Sequence, residues 1–444
     1  MSGNFSIFAK NFCIMSHGKA SSRVAFALVA SLFLCWGVAN NMNDTLLAAF
    51  RRIMSMSDLQ TSLVQFAFYG AYFCFAIPAA IFIRRFSYKA GILLGLALYA
   101  AGCMLFYPAG IASSYPFFLI AIYVMASGCS ILETTANPYI MAMGDPRTAT
   151  RRLNLAQTLN PVGAICGILL SRHFILAQLH SADAAQRSGM DADALTAIQH
   201  QELSAVSGTY MAIGCILIAL MVTVALIRMP AGSGSDDSDS DATTPRPSAR
   251  ETTSRLWRNT HYRYGVVAQF FYVGVQTGVW SFTIRLAMHQ LGILEKDASV
   301  AFLYSILAFM LFRFIFTWLM AYIKPLRLLY AASLMGLIFT LAVIFTSGWV
   351  CIGFLIAISA CMSLMFPTIY GIALEDVAAA DTKLGASGLI MAILGGALIT
   401  PLQAFISDRA GISASFAIPT LCFAVILIYC SYISKTEHAR HHDI

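Results

Sequence analysis

The chain has 444 residues, of which 59% are hydrophobic and 11% charged, with a formal net charge of +7. Soluble domains carry about a quarter charged residues, so this composition, with a mean hydropathy of +0.73, excludes an ordinary soluble protein. The basic residues fall at the ends of apolar segments, which excludes a nucleic-acid surface and points to membrane topology.

In chain order, residues 1–23 form a polar tail without the apolar core and cleavage site of a signal peptide. A helix needs about 20 apolar residues to cross a bilayer, and twelve segments qualify: 24–49, 58–83, 89–109, 115–143, 153–178, 206–228, 262–288, 297–323, 325–346, 349–375, 384–407 and 413–434. The fold expected is an all-α membrane protein of twelve transmembrane helices in two six-helix halves, 24–228 and 262–434. Between them lies 229–261, whose stretch PAGSGSDDSDSDATTPRPSARETTSR reads as a mobile linker. Residues 435–444 form a second tail.

Placing the loops on alternate sides puts 20 of the 28 Lys and Arg residues on one side and 7 on the other, with Arg313 left inside a span. Positive residues gather in cytoplasmic loops, so both termini and the linker are expected in the cytoplasm. The long outside loop, 179–205, has an acidic surplus (Asp183, Asp191, Asp193, Glu202). Two six-helix halves joined in this way is the organisation of many secondary transporters.

Intramembrane charge narrows the function. An ionisable group at membrane depth costs several kcal/mol and usually marks an ion or substrate pathway. Asp44 and Glu133 are two such groups. Trp36, Asn40 and Asp44 are spaced by four and share a helix face, with Asn41 and Asn43 beside them; the alternative for Asn43 is a cap at the outer helix end. Glu133 and Asn137 are four apart, and Pro138 follows. Desolvation favours the neutral form of a carboxyl, so a buried one can load and release a proton; the alternative is a structural glutamate paired with a neighbouring helix. In span five Asn154, Gln157 and Thr158 share a face, Asn160 follows, and Pro161 can bend the helix; interhelical hydrogen bonding is the alternative. Gly163 and Gly167 form a small-xxx-small packing pair.

In the second half Gln269, Tyr272, Gln276, Trp280 and Thr283 form one stripe. Amides suit sugar hydroxyls and aromatic rings suit sugar faces, so the stripe fits one wall of a sugar site; packing with an aromatic belt is the alternative. Arg313 and the span prolines Pro161 and Pro401 are expected in structural or gating roles. No nucleophile–base pattern, metal-spaced His cluster or phosphate-binding glycine loop is present, so neither an enzyme nor a cofactor is expected. His438, His441 and His442 lie in the polar tail, and the 11 cysteines lack metal-ligand spacing and read as small buried hydrophobes.

The segments ANNMNDTLL (39–47), LETTANPY (132–139), RLNLAQTLN (152–160), AQFFYVGVQTGVWSFTIR (268–285), DTKLGASGLIMAILGGALITP (381–401) and PTLCFAVI (419–426) resemble the fucose permease branch of the major facilitator superfamily, over most of the chain. The loop IRRFSYKAG resembles a degenerate form of the superfamily's loop motif and lacks the acidic residue before the basic pair. The resemblance implies a sugar:proton symporter of the inner membrane. Asp44 and Glu133 would couple proton and sugar, the proton being the coupling ion. Asn41, Gln157 and neighbouring polar groups would bind the sugar. The full set expected to bind it is Trp36, Asn40, Asn41, Asn43, Asn137, Asn154, Gln157, Asn160, Gln269, Tyr272, Gln276 and Trp280. The density of matches favours L-fucose over the glucose or galactose of related carriers. The other readings are a drug exporter, against which the Asn and Gln density argues, and a membrane sugar sensor. A monomer in the lipid bilayer is expected, since each chain contains both halves.

Overall fold

The computed structural model describes residues 20–54, 58–180, 190–227, 229 and 248–442. The first tail up to residue 19, most of the linker (230–247), Arg187 and the side chain of Asp44 lie outside the described residues. The helices are α1 (Ala20–Ile53), α2 (Asp58–Arg85), α3 (Tyr88–Ile111), α4 (Tyr115–Ala142), α5 (Ala149–Ala156), α6 (Leu159–Leu170), α7 (Ala192–Leu226) and α8 (Ala249–Arg258). They continue with α9 (Thr260–Leu291), α10 (Glu295–Leu319), α11 (Pro325–Phe345), α12 (Gly348–Met362), α13 (Met365–Glu375), α14 (Ala379–Met391), α15 (Gly395–Ala410) and α16 (Ala417–His442). Among the described residues there is no strand, and the helices make twelve passes. Eleven are long and apolar enough to cross a membrane; the other, α9, has 32 residues and carries the polar stripe from Gln269 to Thr283.

Three passes are assembled from pieces. Pass five is α5 and α6, followed by a π turn at Ser171–Ile175 and a 3-10 turn at Leu176–Gln178. Pass ten is α12 and α13, and pass eleven is α14 and α15 with a 3-10 turn at Ala392–Leu394 between them. In passes five and ten a proline follows the break by a few residues (Pro161, Pro367), and proline has no N–H for the carbonyl four residues back; in pass eleven Pro401 lies inside α15.

Two stretches expected to be irregular are helical. The outer loop 179–205 is helix from Ala192 onward, as the start of α7. The last part of the expected mobile linker is α8, started by a capping box in which Ser248 and Glu251 bond each other's backbone. Its Thr252 and Leu256 are buried, and Arg255 holds Asp381 at the start of α14 through two bonds of 2.8 and 2.6 Å. The carboxylate raises the Arg255 guanidinium above its ordinary value.

The chain groups into two compact units. One comprises residues 24–136 and 159–230. In it α1 and α6 approach so closely that a Cβ at Gly37 would lie 2.0 Å from the Asn160 carbonyl, and one at Gly163 would lie 2.0 Å from that of Leu34. The Gly163–Gly167 pair is therefore helix packing. Lys89, in the degenerate loop motif, caps the end of α7 by donating to the carbonyls of Ala225 and Ile227 at 2.8 and 2.9 Å. Such a cation at a helix C-terminus satisfies orphan carbonyls.

Among the described residues, the other unit comprises 137–158 with 248–442. The ends of passes four and five are thus packed with the second half. Arg152, first residue of RLNLAQTLN, is buried and works as a staple there. It donates to the carbonyls of Ile140 (2.8 Å), Met141 and Asp145 (3.2 Å) and to the Thr148 hydroxyl (2.9 Å). It closes the end of α4 onto the turn that starts α5.

Candidate functional site

In the first unit, α1 runs unbroken through Asn43 and Asp44 to Ile53, so neither residue caps a helix end. Asn40 is exposed and Asn41 half-buried; the Asn41 amide donates back to the Gly37 carbonyl at 3.1 Å. Asn43 is buried, its Nδ2 is 3.4 Å from Gln65 Oε1, and its own Oδ1 has no partner. Asn160 is half-buried, its carbonyl against Gly37.

Glu133 lies on α4, half-buried, with the Tyr72 hydroxyl of α2 within hydrogen-bonding reach. Tyr72 is in turn approached by the Trp36 indole. Trp36 is 2% exposed and donates to the Cys129 carbonyl at 3.2 Å, while Ser130 donates to the Tyr72 carbonyl at 3.2 Å. Trp36 and Tyr72 thus form the wall behind Glu133. Trp36 shares its helix face with Asn40 and Asp44, but its N–H is spent on α4. Tyr72 carries no signal in the sequence, because it sits in the apolar run FAFYGAYFCFAI.

In the second unit, the amides of passes four and five meet. Gln157 Nε2 donates to Asn137 Oδ1 at 3.0 Å, and both side chains are buried. Asn154 donates to the Thr150 carbonyl at 2.9 Å and to the Thr368 hydroxyl of α13 at 3.2 Å. Asn137 Nδ2 and Asn154 Oδ1 have no partner. Alongside, Thr150 packs on Gly371, where a Cβ would lie 2.4 Å from its hydroxyl. The Gln157–Asn137 pair and Asn154 are therefore two buried amide groups, one with a donor and the other with an acceptor unspent.

The α9 stripe divides. Tyr272 is buried and donates to the Met362 carbonyl at 3.1 Å; Trp280 donates to the Ser359 hydroxyl at 3.2 Å and stands edge-on to Phe309. Both polar tips are spent on pass ten. Gln276 is half-buried. Gln269 is fully buried and neither of its amide atoms has a partner. Burying an amide without a bond costs a few kcal/mol, so such a group is poised for a hydrogen-bonding ligand or neighbour. Gln403 on α15 is a second amide of this kind, unpartnered and fully buried, with its Oε1 2.4 Å from where a Gly278 Cβ would be. Reading the sequence missed it, although it carries the same signal as Gln269, an amide inside an apolar span.

Arg313 on α10 is 3% exposed. Its Nε donates to the Ser363 carbonyl at 2.6 Å, its Nη1 to the Gln157 carbonyl at 3.0 Å, and its guanidinium carbon is 4.6 Å from the centre of the Phe309 ring. Of the two intramembrane prolines expected to be structural or gating, Pro161 is buried within α6 and Pro401 is an exposed residue of α15.

The model of the Major Facilitator Superfamily matches residues 24–400. An L-fucose-proton symporter of Haemophilus influenzae is 42% identical over 91% of this chain and 95% of its own length. A glucose/galactose transporter of Brucella abortus is 32% identical over 95% of this chain and 97% of its own. Among solved structures, the transporter FucP in the outward conformation matches with a TM-score of 0.85 at 38% identity, covering 93% of this chain and 99% of that one.

Proposed function

The chain belongs to the major facilitator superfamily, in its L-fucose permease branch, and we propose that it takes up L-fucose together with a proton by alternating access. It is a carrier and not an enzyme. The observation that carries this reading is the buried amide group of Asn137, Gln157 and Asn154, with a donor and an acceptor unspent. A sugar hydroxyl both gives and takes a hydrogen bond, so it can satisfy the two together. Asn40, Asn41, Asn43 and Asn160 of the first half, and Gln269 and Gln276 of the second, extend the same chemistry. Trp36, Tyr272 and Trp280 contribute ring faces while their polar tips hold the scaffold.

Glu133 takes the proton, with Tyr72 orienting its carboxyl. Asp44, less than one heptad along α1 from Asn40, holds the sugar or shares the proton, since two coupled carboxyls titrate as a pair. Neutralising a carboxylate removes the desolvation cost of enclosing it, which lets the carrier change the side it opens to. The proton serves as the coupling ion. The chain acts as a monomer in the inner membrane with both termini and the linker in the cytoplasm. That orientation makes the packed ends of passes four and five the cytoplasmic side.

The 32% identity to a glucose/galactose transporter supports a second reading, a hexose:proton symporter with the same acidic pair. Uptake of labelled L-fucose into proteoliposomes under an inward proton gradient, with glucose and galactose as competitors, separates the two. Gradient-dependent accumulation blocked only by fucose-like sugars is expected. Accumulation of glucose or galactose without fucose would overturn the substrate and keep the carrier. Binding without accumulation of any of them would leave a sensor.

A further inference from the structure

Arg313 donates to two main-chain carbonyls, those of Ser363 and Gln157, and prolines explain why these two. In a helix each carbonyl receives the N–H four residues on. Gln157 is four residues before Pro161, and Ser363 is four residues before Pro367. Proline has no N–H to give, so these two carbonyls are orphaned where α5 meets α6 and where α12 meets α13. They are the two that Arg313 receives, Ser363 on Nε and Gln157 on Nη1. Two N–H groups fixed in one guanidinium plane can serve both; a lysine ammonium on its flexible stem is not held so.

We propose that Arg313 is a shared cap for the proline breaks of passes five and ten, and that its Gln157 arm is the latch holding pass five against the second half. This rests on the reading of the chain as an alternating-access carrier, but not on which sugar it carries. The Ser363 arm lies within the second half and travels with it. The Gln157 arm joins the two halves. Any opening on that side draws pass five from α10 and leaves the Gln157 carbonyl with no donor. The arm also holds the main chain of the residue whose side chain bonds Asn137, so latch and sugar-binding amides share one residue.

The test uses Thr150, packed on Gly371 at the same contact. Thr150→Cys is introduced into the full-length protein, and its alkylation by a bulky maleimide is measured against the parent without sugar. Four backgrounds are compared: unchanged, Arg313→Met, Pro161→Ala, and both together. Arg313→Met removes the latch, and labelling should rise about tenfold, the scale of one charge-assisted hydrogen bond. Pro161→Ala gives the Gln157 carbonyl an N–H of its own in every state, so it should raise labelling to a similar degree. The double variant should label no faster than the faster single one, because both changes remove one interaction. Pro401→Ala, whose orphaned carbonyl belongs to Ala397 and not to the Arg313 pair, should leave labelling unchanged.

Labelling unchanged in Arg313→Met, or singles that multiply in the double variant, would overturn the latch. If Arg313→Met does not yield folded protein, Pro161→Ala alone decides: a rise supports the latch and no rise overturns it. Sugar plays no part in the readout, so a failure of fucose uptake and a failure of the latch are told apart.

Discussion

Glu133 and Arg313 are both ionisable groups inside apolar helices, and they are held in opposite ways. Glu133 is half-buried beside one hydroxyl, that of Tyr72. Arg313 is 3% exposed and bonded at 2.6 and 3.0 Å to two main-chain carbonyls. A carboxyl held by a hydroxyl can change its proton without dismantling the fold around it. A guanidinium bridging two helix breaks cannot be altered without freeing both. The rarity of an intramembrane charge is therefore the same signal in each case, and the partner decides whether it means chemistry or architecture.

The sharpest way to break this comparison is Glu133→Gln. An amide keeps the shape and cannot carry the proton, so gradient-driven accumulation should be lost altogether while exchange of labelled for unlabelled sugar persists. Counterflow in proteoliposomes measures the second and pH-driven uptake the first. If exchange and binding vanish with accumulation, Glu133 belongs to recognition and the proton role passes to Asp44.

Gln157→Ala gives a smaller effect and tests the second unit. It leaves Asn137 Oδ1 buried without its donor at 3.0 Å, a loss of about 1–3 kcal/mol where no water enters. Sugar affinity should fall by about tenfold or more, with the ratio of accumulation to exchange unchanged. Binding by isothermal titration checks it. An affinity equal to that of the parent would make the Asn137–Gln157 pair structural, which is the alternative open from the sequence.

Eleven passes were legible because each is an apolar run of bilayer length, whereas α9 carries a polar stripe through its length. The family was legible in the motifs, yet the work of individual motif residues was not. Arg152 opens the LNLAQT segment and turns out to staple the α4 carbonyls of Ile140 and Met141. The partners of Arg313 were hidden for a physical reason: carbonyls carry no residue identity. The prolines at 161 and 367 mark which carbonyls lack donors, so the information was present at a spacing of four. Tyr72 was beyond reach, since nothing separates it from other aromatics in an apolar span. α8 was masked by the Gly, Ser and Asp content of its neighbours, although Ser248 and Glu251 in SARE have capping-box spacing.

The smallest effect expected comes from α8 and completes the contrast, because its charge pair stands at a helix end and not among the amides. Asp381, first residue of DTKLGAS, is 4% exposed in its side chain while Arg255 is 51% exposed. Arg255→Ala leaves Asp381 without its guanidinium, and the midpoint of thermal unfolding should fall by a few degrees with little change in transport. The partner is exposed, so salt screens part of the pair, and the difference between parent and variant should narrow as ionic strength rises. The sign of the pH dependence follows from the raised Arg255 value. A cation raised on folding contributes its full stability below its unfolded value and loses it only as pH climbs through the raised one. The unfolded value for arginine already lies far above the neutral range, so from about pH 6 to 9 Arg255 contributes no slope of its own. A difference flat in pH and sensitive to salt would place α8 as an anchored strut of the second half. A fall in transport larger than the fall in stability would give the linker helix a part in the opening cycle instead, alongside the Arg313 latch.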